Sequence, residues 1–149
     1  MAENTIRCRV VTPTHAVLDD QVRYASVPLH DGLAGFMPGR SPLVARLGLG
    51  ELRLDFPDSR DSKGGSRSYF IDGGFAKMSS EGLTILAQEA MPIESIAKSD
   101  AQAELAAAES RKVDIHATDA LAQSARISHD RNRARLKVRL ASQSQAKGI

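Results

Sequence analysis

The residues of this chain best suited to chemistry are four histidines, one cysteine and a cluster of arginines, and their spacing limits what that chemistry can be. His15, His30, His116 and His129 fall in different stretches, with no i, i+4 pair and no carboxylate at a ligand-forming offset, so the sequence assembles no metal site. Cys8 is the only cysteine, which excludes an intramolecular disulfide and a thiolate metal cage. In the alternating run IRCRVV it reads as a small hydrophobe packed into a sheet. No Gly-x-Ser-x-Gly elbow, dinucleotide fingerprint or paired-carboxylate motif occurs, and the adjacent glycines of KGGS lead into no Gly-Lys-Thr helix start. We therefore assign no catalytic residue, no metal ligand and no nucleotide-binding residue, and expect no cofactor.

The arginines are a different matter. Arg126, Arg131, Arg133, Arg135, Lys137 and Arg139 share their span with only one acid, Asp130. On a helix Arg131, Arg135 and Arg139 stack at i, i+4 and i+8, while Arg126, Arg133 and Lys137 fall on adjacent faces. Solvated helix faces usually mix signs; this one does not, so an acidic partner is expected. The chain as a whole carries a net charge of only +2, and no aromatic residue is interleaved with the arginines for base stacking, which places nucleic acid below a protein surface as that partner.

The elements that must position these residues change character near Ile96. From Thr5 to Ala87, short β-rich runs alternate with turn signals, as in an all-β sandwich. The expected strands are Ile6 to Val11, Val17 to Leu18, Val22 to Pro28, Leu43 to Leu47, Glu51 to Phe56, Ser68 to Ile71, Phe75 to Met78 and Leu83 to Leu86. Between them, Asp31-Gly32 and Gly35 bracket a turn, Pro38-Gly39 with Pro42 makes another that presents Arg40 and Ser41, and Pro57 to Ser66 reads as a hairpin tip. Beyond Met91-Pro92, Ala97 to Arg111 is an Ala-rich helix with Ser99 or Asp100 as its cap, and Asp119 to Ala141 is a second helix, followed by a frayed tail. Leu105 is the single bulky apolar residue of the first helix, so the pair is marginal alone and must lean on a partner surface.

At 149 residues, with 42% hydrophobic and 26% charged composition, the chain can bury one substantial core, which suits a single globular domain with an appendage. The boundaries read as 1–90 for the sandwich and 91–149 for the helices. The start, MAENTIRCRV, has no signal-peptide run, and no stretch of about eighteen apolar residues occurs. The expectation is a soluble protein of a reducing compartment that reaches membranes only through partners.

In order along the chain stand Thr12-Pro13 through Val22, P.HDG..GFMPGRSPLVA, G.GELR at Gly48 to Arg53, Y.IDGGFAKM at Tyr69 to Met78, L.ILA.EA at Leu83 to Ala90, and an Ala-rich helical pair. Together they resemble the epsilon subunit family of bacterial F-type ATP synthases, over nearly the whole chain. The resemblance implies an N-terminal β-sandwich followed by two antiparallel helices, and a non-catalytic central-stalk role coupling rotation of a proton-driven c-subunit ring to the alpha/beta catalytic core through the gamma subunit. It also implies restraint of ATP hydrolysis by the helices, and a peripheral place on the cytoplasmic face of the bacterial inner membrane.

By the same resemblance the ring-facing loop is Asp31, Gly32, Gly35, Arg40, Ser41 and Pro42, with Arg40-Ser41 where the family usually has His-Ala. Gamma contact falls to Leu43, Leu47, Phe70, Phe75 and Met78, and inhibitory contact with an acidic element of a beta subunit to Arg126, Arg131, Arg133, Arg135 and Arg139. Some relatives bind ATP through Ile/Leu-Asp-x-x-Arg-Ala; here the stretch is Ile96-Ala97-Lys98-Ser99-Asp100-Ala101, lacking the Asp and Arg, so no ATP site is expected. A different class of reading remains beside this one: a free-standing β-sandwich binding module whose basic helical tail takes nucleic acid.

Overall fold

A computed structural model of the chain describes residues 4–60 and 63–147. It divides into two units, 1–92 and 93–149. The first contains eight strands: β1 (Ile6–Val11), β2 (Ala16–Val22), β3 (Tyr24–Leu29), β4 (Gly32–Phe36), β5 (Leu43–Arg46), β6 (Leu49–Phe56), β7 (Gly65–Ser79) and β8 (Gly82–Pro92). They form one hydrogen-bonded path, β2-β1-β8-β7-β6-β3-β4, with β5 also on β7.

Alternation explains the faces. In β1, Ile6, Cys8 and Val10 are buried while Arg7 is exposed, and Arg7 pairs with Asp19 of β2 at 2.7 Å. That contact, first as a hydrogen bond and then as a charge pair, holds the Asp19 carboxyl below the usual carboxylate range. Cys8 is fully buried, and burial pushes its thiol up to about 12, as suits a packing residue with no thiolate role. Cys8, Val10, Leu83 and Ile85 from β1 and β8 belong to the same core as Val27, Phe36, Leu52 and Leu54 from β3, β4 and β6. The sheet therefore folds over on itself as a sandwich.

The fold-over has a definite place. β7 keeps an unbroken antiparallel register with both β5 and β6, from Leu43↔Met78 to Arg46↔Phe75 and from Leu49↔Asp72 to Phe56↔Gly65. The interval is bridged by Leu47 N–H donating to the Gly74 carbonyl at 2.8 Å and Gly73 N–H donating to the Gly48 carbonyl at 3.1 Å. At this bend Gly48 N–H also donates to Pro28 at 2.9 Å, and a Cβ on Gly48 would sit 2.8 Å from the Leu29 carbonyl oxygen. Gly74 has φ +117, and a Cβ there would collide with the Leu86 carbonyl oxygen. Only glycine supplies both the conformation and the close approach.

Several expected boundaries change. Ser68 to Ile71 and Phe75 to Met78 are one strand, because Gly73-Gly74 bends β7 without ending it. The stretch expected to be a turn closing at Gly35 is strand β4, paired with β3 from Ala25↔Phe36 to Leu29↔Gly32; the turn is confined to His30-Asp31. Val22 closes β2, which runs longer than Val17 to Leu18 because it pairs with all of β1. In the loop from Pro57, residues 61 and 62 lie outside the described residues, and Gly65 and Ser66 already belong to β7.

The second unit holds a short 3-10 turn at Ile93–Ser95, then helices α1 (Lys98–Ser110) and α2 (Ala120–Lys147). The N-cap of α1 is Ala97, without a side-chain cap bond, so Ser99 and Asp100 lie inside the first turn and do not cap it. α2 continues to Lys147 instead of fraying after Ala141: Leu140 and Ala141 are buried, and an anchored helix adds further residues without a new nucleus. Ala101 and Ala108 of α1 and Ala134, Leu136, Leu140 and Ala141 of α2 are the buried apolar positions, whereas Leu121 is exposed.

Replacing Gly74 by alanine combines a forbidden φ with a backbone collision, and we expect it to destabilise the sandwich by ~3 kcal/mol or more. Urea unfolding of Gly74→Ala beside the parent chain checks this; an unchanged midpoint would remove the bend from the account of the fold.

Candidate interaction surfaces

Beyond strand β4 the chain turns at Pro38-Gly39, with Gly39 at φ +85. Arg40 closes this turn on itself. Its N–H donates to the Met37 carbonyl at 3.3 Å, its Nη1 donates to the Gly35 carbonyl at 2.6 Å, and its guanidinium stands 4.6 Å from the centroid of the buried Phe36 ring. Asp31, Gly32, Ser41 and Pro42 are exposed and Gly35 is half-buried. Sequence reasoning passed over the two bulky apolar side chains of the same segment that face solvent, Leu33 at 72% and Met37 at 59% exposure. The five glycines and prolines of the segment signal chain reversal and mask them.

Of the five residues assigned to gamma contact, Phe75 is exposed and Leu43 is half-buried against the core. Leu47 and Met78 are core residues, so their side chains face inward, whereas Phe70, though buried, lies on the face of β7 opposite the core residues Tyr69 and Ile71. For Met78 the reason is the two-residue period of a strand. On β7, Ala76 and Met78 point inward and Phe75 and Lys77 outward. The register then builds an outer face that the sequence had not shown: Arg46 opposite Phe75, Phe75 opposite Leu86, and Leu86 opposite Val11. Val44 lies diagonally from Phe75, opposite Lys77. Val44, Phe75 and Leu86 are exposed apolar residues flanked by Arg46 and Lys77, an apolar strip with a cationic border.

In the helical unit, α1 and α2 run antiparallel, and much of the charge on α2 is answered from α1. Arg131 inserts its guanidinium at the end of α1, donating to the carbonyls of Ala108 at 3.1 Å, Glu109 at 3.4 Å and Arg111 at 2.8 Å. These carbonyls lie past the last i→i−4 bond of the helix, Ala108 accepting also from the Arg111 N–H at 3.4 Å, and a cation there suits the helix dipole. Arg133 pairs with Glu104, and Lys137 reaches the other oxygen of that carboxylate at 3.3 Å. Arg135 is 3.9 Å from Glu109, and Arg111 pairs with Asp130 at 2.5 Å. Arg126 and Arg139 have no such partner among the described residues and are exposed. The expected one-signed rod is thus a helix with its positive charge divided between an internal hinge and an outer remainder.

Among the described residues no group of three or more His, Cys, Asp or Glu side chains is placed to hold a metal ion. What the geometry offers is binding: an apolar strip on a sheet, a rigid loop with two exposed apolar residues, and a helix with outward arginines.

Residues 5–93 match the family model described as ATP synthase, Delta/Epsilon chain, beta-sandwich domain. The ATP synthase epsilon chain of Rhodopirellula baltica is 36% identical over 104 residues, covering 70% of this chain and 77% of that one. The epsilon chain of Granulibacter bethesdensis is 32% identical over 129 residues, covering 83% and 90%. In fold, the chain is similar to one from the Euglena gracilis mitochondrial ATP synthase, with a TM-score of 0.64 at 19% identity, covering 100% of this chain and 84% of that one.

The helix-end contacts of Arg131 lead to a direct expectation. Arg131→Ala removes the side-chain donor shared by the Ala108, Glu109 and Arg111 carbonyls and should lower the stability of the helical pair by about 1–2 kcal/mol. Arg131→Lys, a single ammonium that cannot span three carbonyls, should recover less than half of it. Amide exchange in α1 of the full chain reads both, and equal protection in Arg131→Ala and parent would contradict the capping role.

Proposed function

The chain belongs to the ATP synthase delta/epsilon family, and from that premise we propose that it works as a central-stalk rotor subunit of an F-type ATP synthase, turning with its partners and breaking no bond itself. The observation that carries this reading is the apolar strip of Val44, Phe75 and Leu86 on the outer face of the sandwich. An exposed aromatic flanked by aliphatics is the composition of an interface centre. The neighbouring Arg46 and Lys77 call for acidic groups around the partner's apolar patch. We assign this strip to the gamma subunit, which moves the contact from the inward Leu47 and Met78 to their exposed neighbours and retains Phe75.

The segment from Asp31 to Pro42 is assigned to the c-subunit ring, with Leu33 and Met37 as the side chains free to touch it. Attachment to the cytoplasmic face of the membrane then comes through these partners; no helix among the described residues is long and apolar enough to cross a bilayer.

The helical pair is assigned the restraint of ATP hydrolysis, through contact with the alpha/beta core. Its internal pairing sharpens which arginines can serve. Arg131 and Arg133 hold the pair together, so they can reach an acidic partner only if the pair loosens. Arg126, Arg139 and the weakly paired Arg135 are available while it stays closed. The nucleic-acid reading loses force, since Arg131, Arg133 and Lys137 already have partners within the unit.

Two measurements test these assignments. Size-exclusion chromatography with the cognate gamma subunit should give a one-to-one complex, and Phe75→Asp should weaken it by about 30-fold or more, the scale of an interface hot spot; undiminished binding would move gamma off this face. In the assembled synthase, Arg126→Glu with Arg139→Glu should relieve inhibition of ATP hydrolysis several-fold without unfolding the helices. Inhibition that persists at full strength would take the outward arginines out of the mechanism.

A further inference from the structure

Arg40 is the only charged side chain between Met37 and Pro42, at the tip of the segment assigned to the ring. A cation in that place invites the view that it pairs with an acidic or carbonyl group of the partner. The geometry directs it elsewhere. Nη1 is bonded to the Gly35 carbonyl at 2.6 Å and the guanidinium lies over Phe36 at 4.6 Å, a ring that is itself fully buried in the sandwich core. Tyr24 also packs against Gly35, so close that a Cβ at that position would run into its hydroxyl and ring. One residue of β4 thus has an aromatic ring packed against its Cα and Arg40 bonded to its carbonyl. Met37, two positions on, is tied into the same turn through the Arg40 N–H.

We propose that Arg40 is a positioning residue: it fixes the 36–42 turn to the sandwich so that Met37 and Leu33 stand at a set height toward the ring, and its own charge takes no part in ring contact. The inference rests on the ring-facing assignment made above. The chemistry favours arginine specifically. A planar guanidinium donates in its plane to a carbonyl while its face covers an aromatic ring, two interactions that a lysine ammonium cannot make with the same geometry. A lysine would keep the charge and lose the brace.

The test separates brace from charge. In the isolated full chain, Arg40→Lys and Arg40→Gln should both lower the protection of the amide at position 40, taken against its intrinsic rate in each variant, by about tenfold or more, the effect of losing a charged hydrogen bond and a ring contact, while Ile71 and Ile85 stay protected. Unchanged exchange in either variant would overturn the proposal. In the complete synthase reconstituted into vesicles, ATP-driven ion pumping should fall as far with Arg40→Lys as with Arg40→Gln. The loss should be alike at about 20 and about 200 mM KCl, where a charge pair at the surface would be screened to different degrees. Rescue by lysine together with steep salt dependence would overturn the proposal in favour of direct charge contact, and normal pumping in both variants would overturn it too. Met37→Asp is the control for the underlying assignment. If it pumps normally while the chain still binds gamma, the ring-facing reading falls, and the exchange measurement alone then upholds or overturns the brace.

Discussion

The first unit depends on the meeting of two backbones at Leu47-Gly48 and Gly73-Gly74. Without that bend, β5, β6 and β7 would form one long flat ribbon, and the residues now enclosed between β1-β8 and β3-β6 would lie on an open face. The bend is stabilised by cross-strand bonds on either side, from Leu47 N–H to Gly74 and from Gly73 N–H to Gly48, so the register passes through it uninterrupted. That continuity sets which side chains look outward. A one-residue slip on β7 would bury Phe75 and expose Met78, erasing the apolar strip and opening the core together.

The helical unit follows a different logic. Its buried apolar positions are mostly alanines, each of which removes little area from water. Hydrogen bonds from Arg131 to the end of α1 and the shared carboxylate of Glu104 supplement that thin contact. Such pairs are partly exposed, with side-chain exposures of 23% and 35% for Arg133 and Glu104, so each adds modestly and the helices remain responsive to salt and to competing acids. A unit joined in this way keeps its shape while staying within reach of rearrangement.

The sequence made the division into strands and helices plain, because a two-residue period gives way to Ala-rich helix formers near Ile96. Four of the strands, β1, β3, β5 and β6, could be placed closely from β-branched runs and turn residues, whereas β2 and β8 were seen only in part and β7 as two pieces. β4 was hidden because GLAGF is punctuated by glycines whose role is to admit Tyr24 and to turn after Asp31, and glycine reads as a turn when its neighbour in space is unknown. For the same reason the sequence does not separate the inward Leu47 and Met78 from the outward Val44 and Leu86: the facing of each strand follows from pairing across the sheet. The arginines of α2 were legible as a charge pattern, but their partners Glu104 and the α1 carbonyls depend on how two antiparallel helices are aligned, which spacing within one helix does not contain.

The pairing of β1 with β8 has a consequence for how the molecule is made. These strands run parallel, and Arg9 and Thr84, bonded to each other, are 75 positions apart in the chain. The first strand therefore waits for the last before it gains a neighbour on that side, and the closure entropy of the intervening loop falls on a late step. Contacts of this range slow folding. On a ribosome, the sandwich cannot complete until the residues through β8 have cleared the exit tunnel, by which time part of the helical unit is still being synthesised. The helical unit has the shorter-range contacts and the later birth, so the nascent chain finishes its most demanding piece of assembly while its most local one is only beginning.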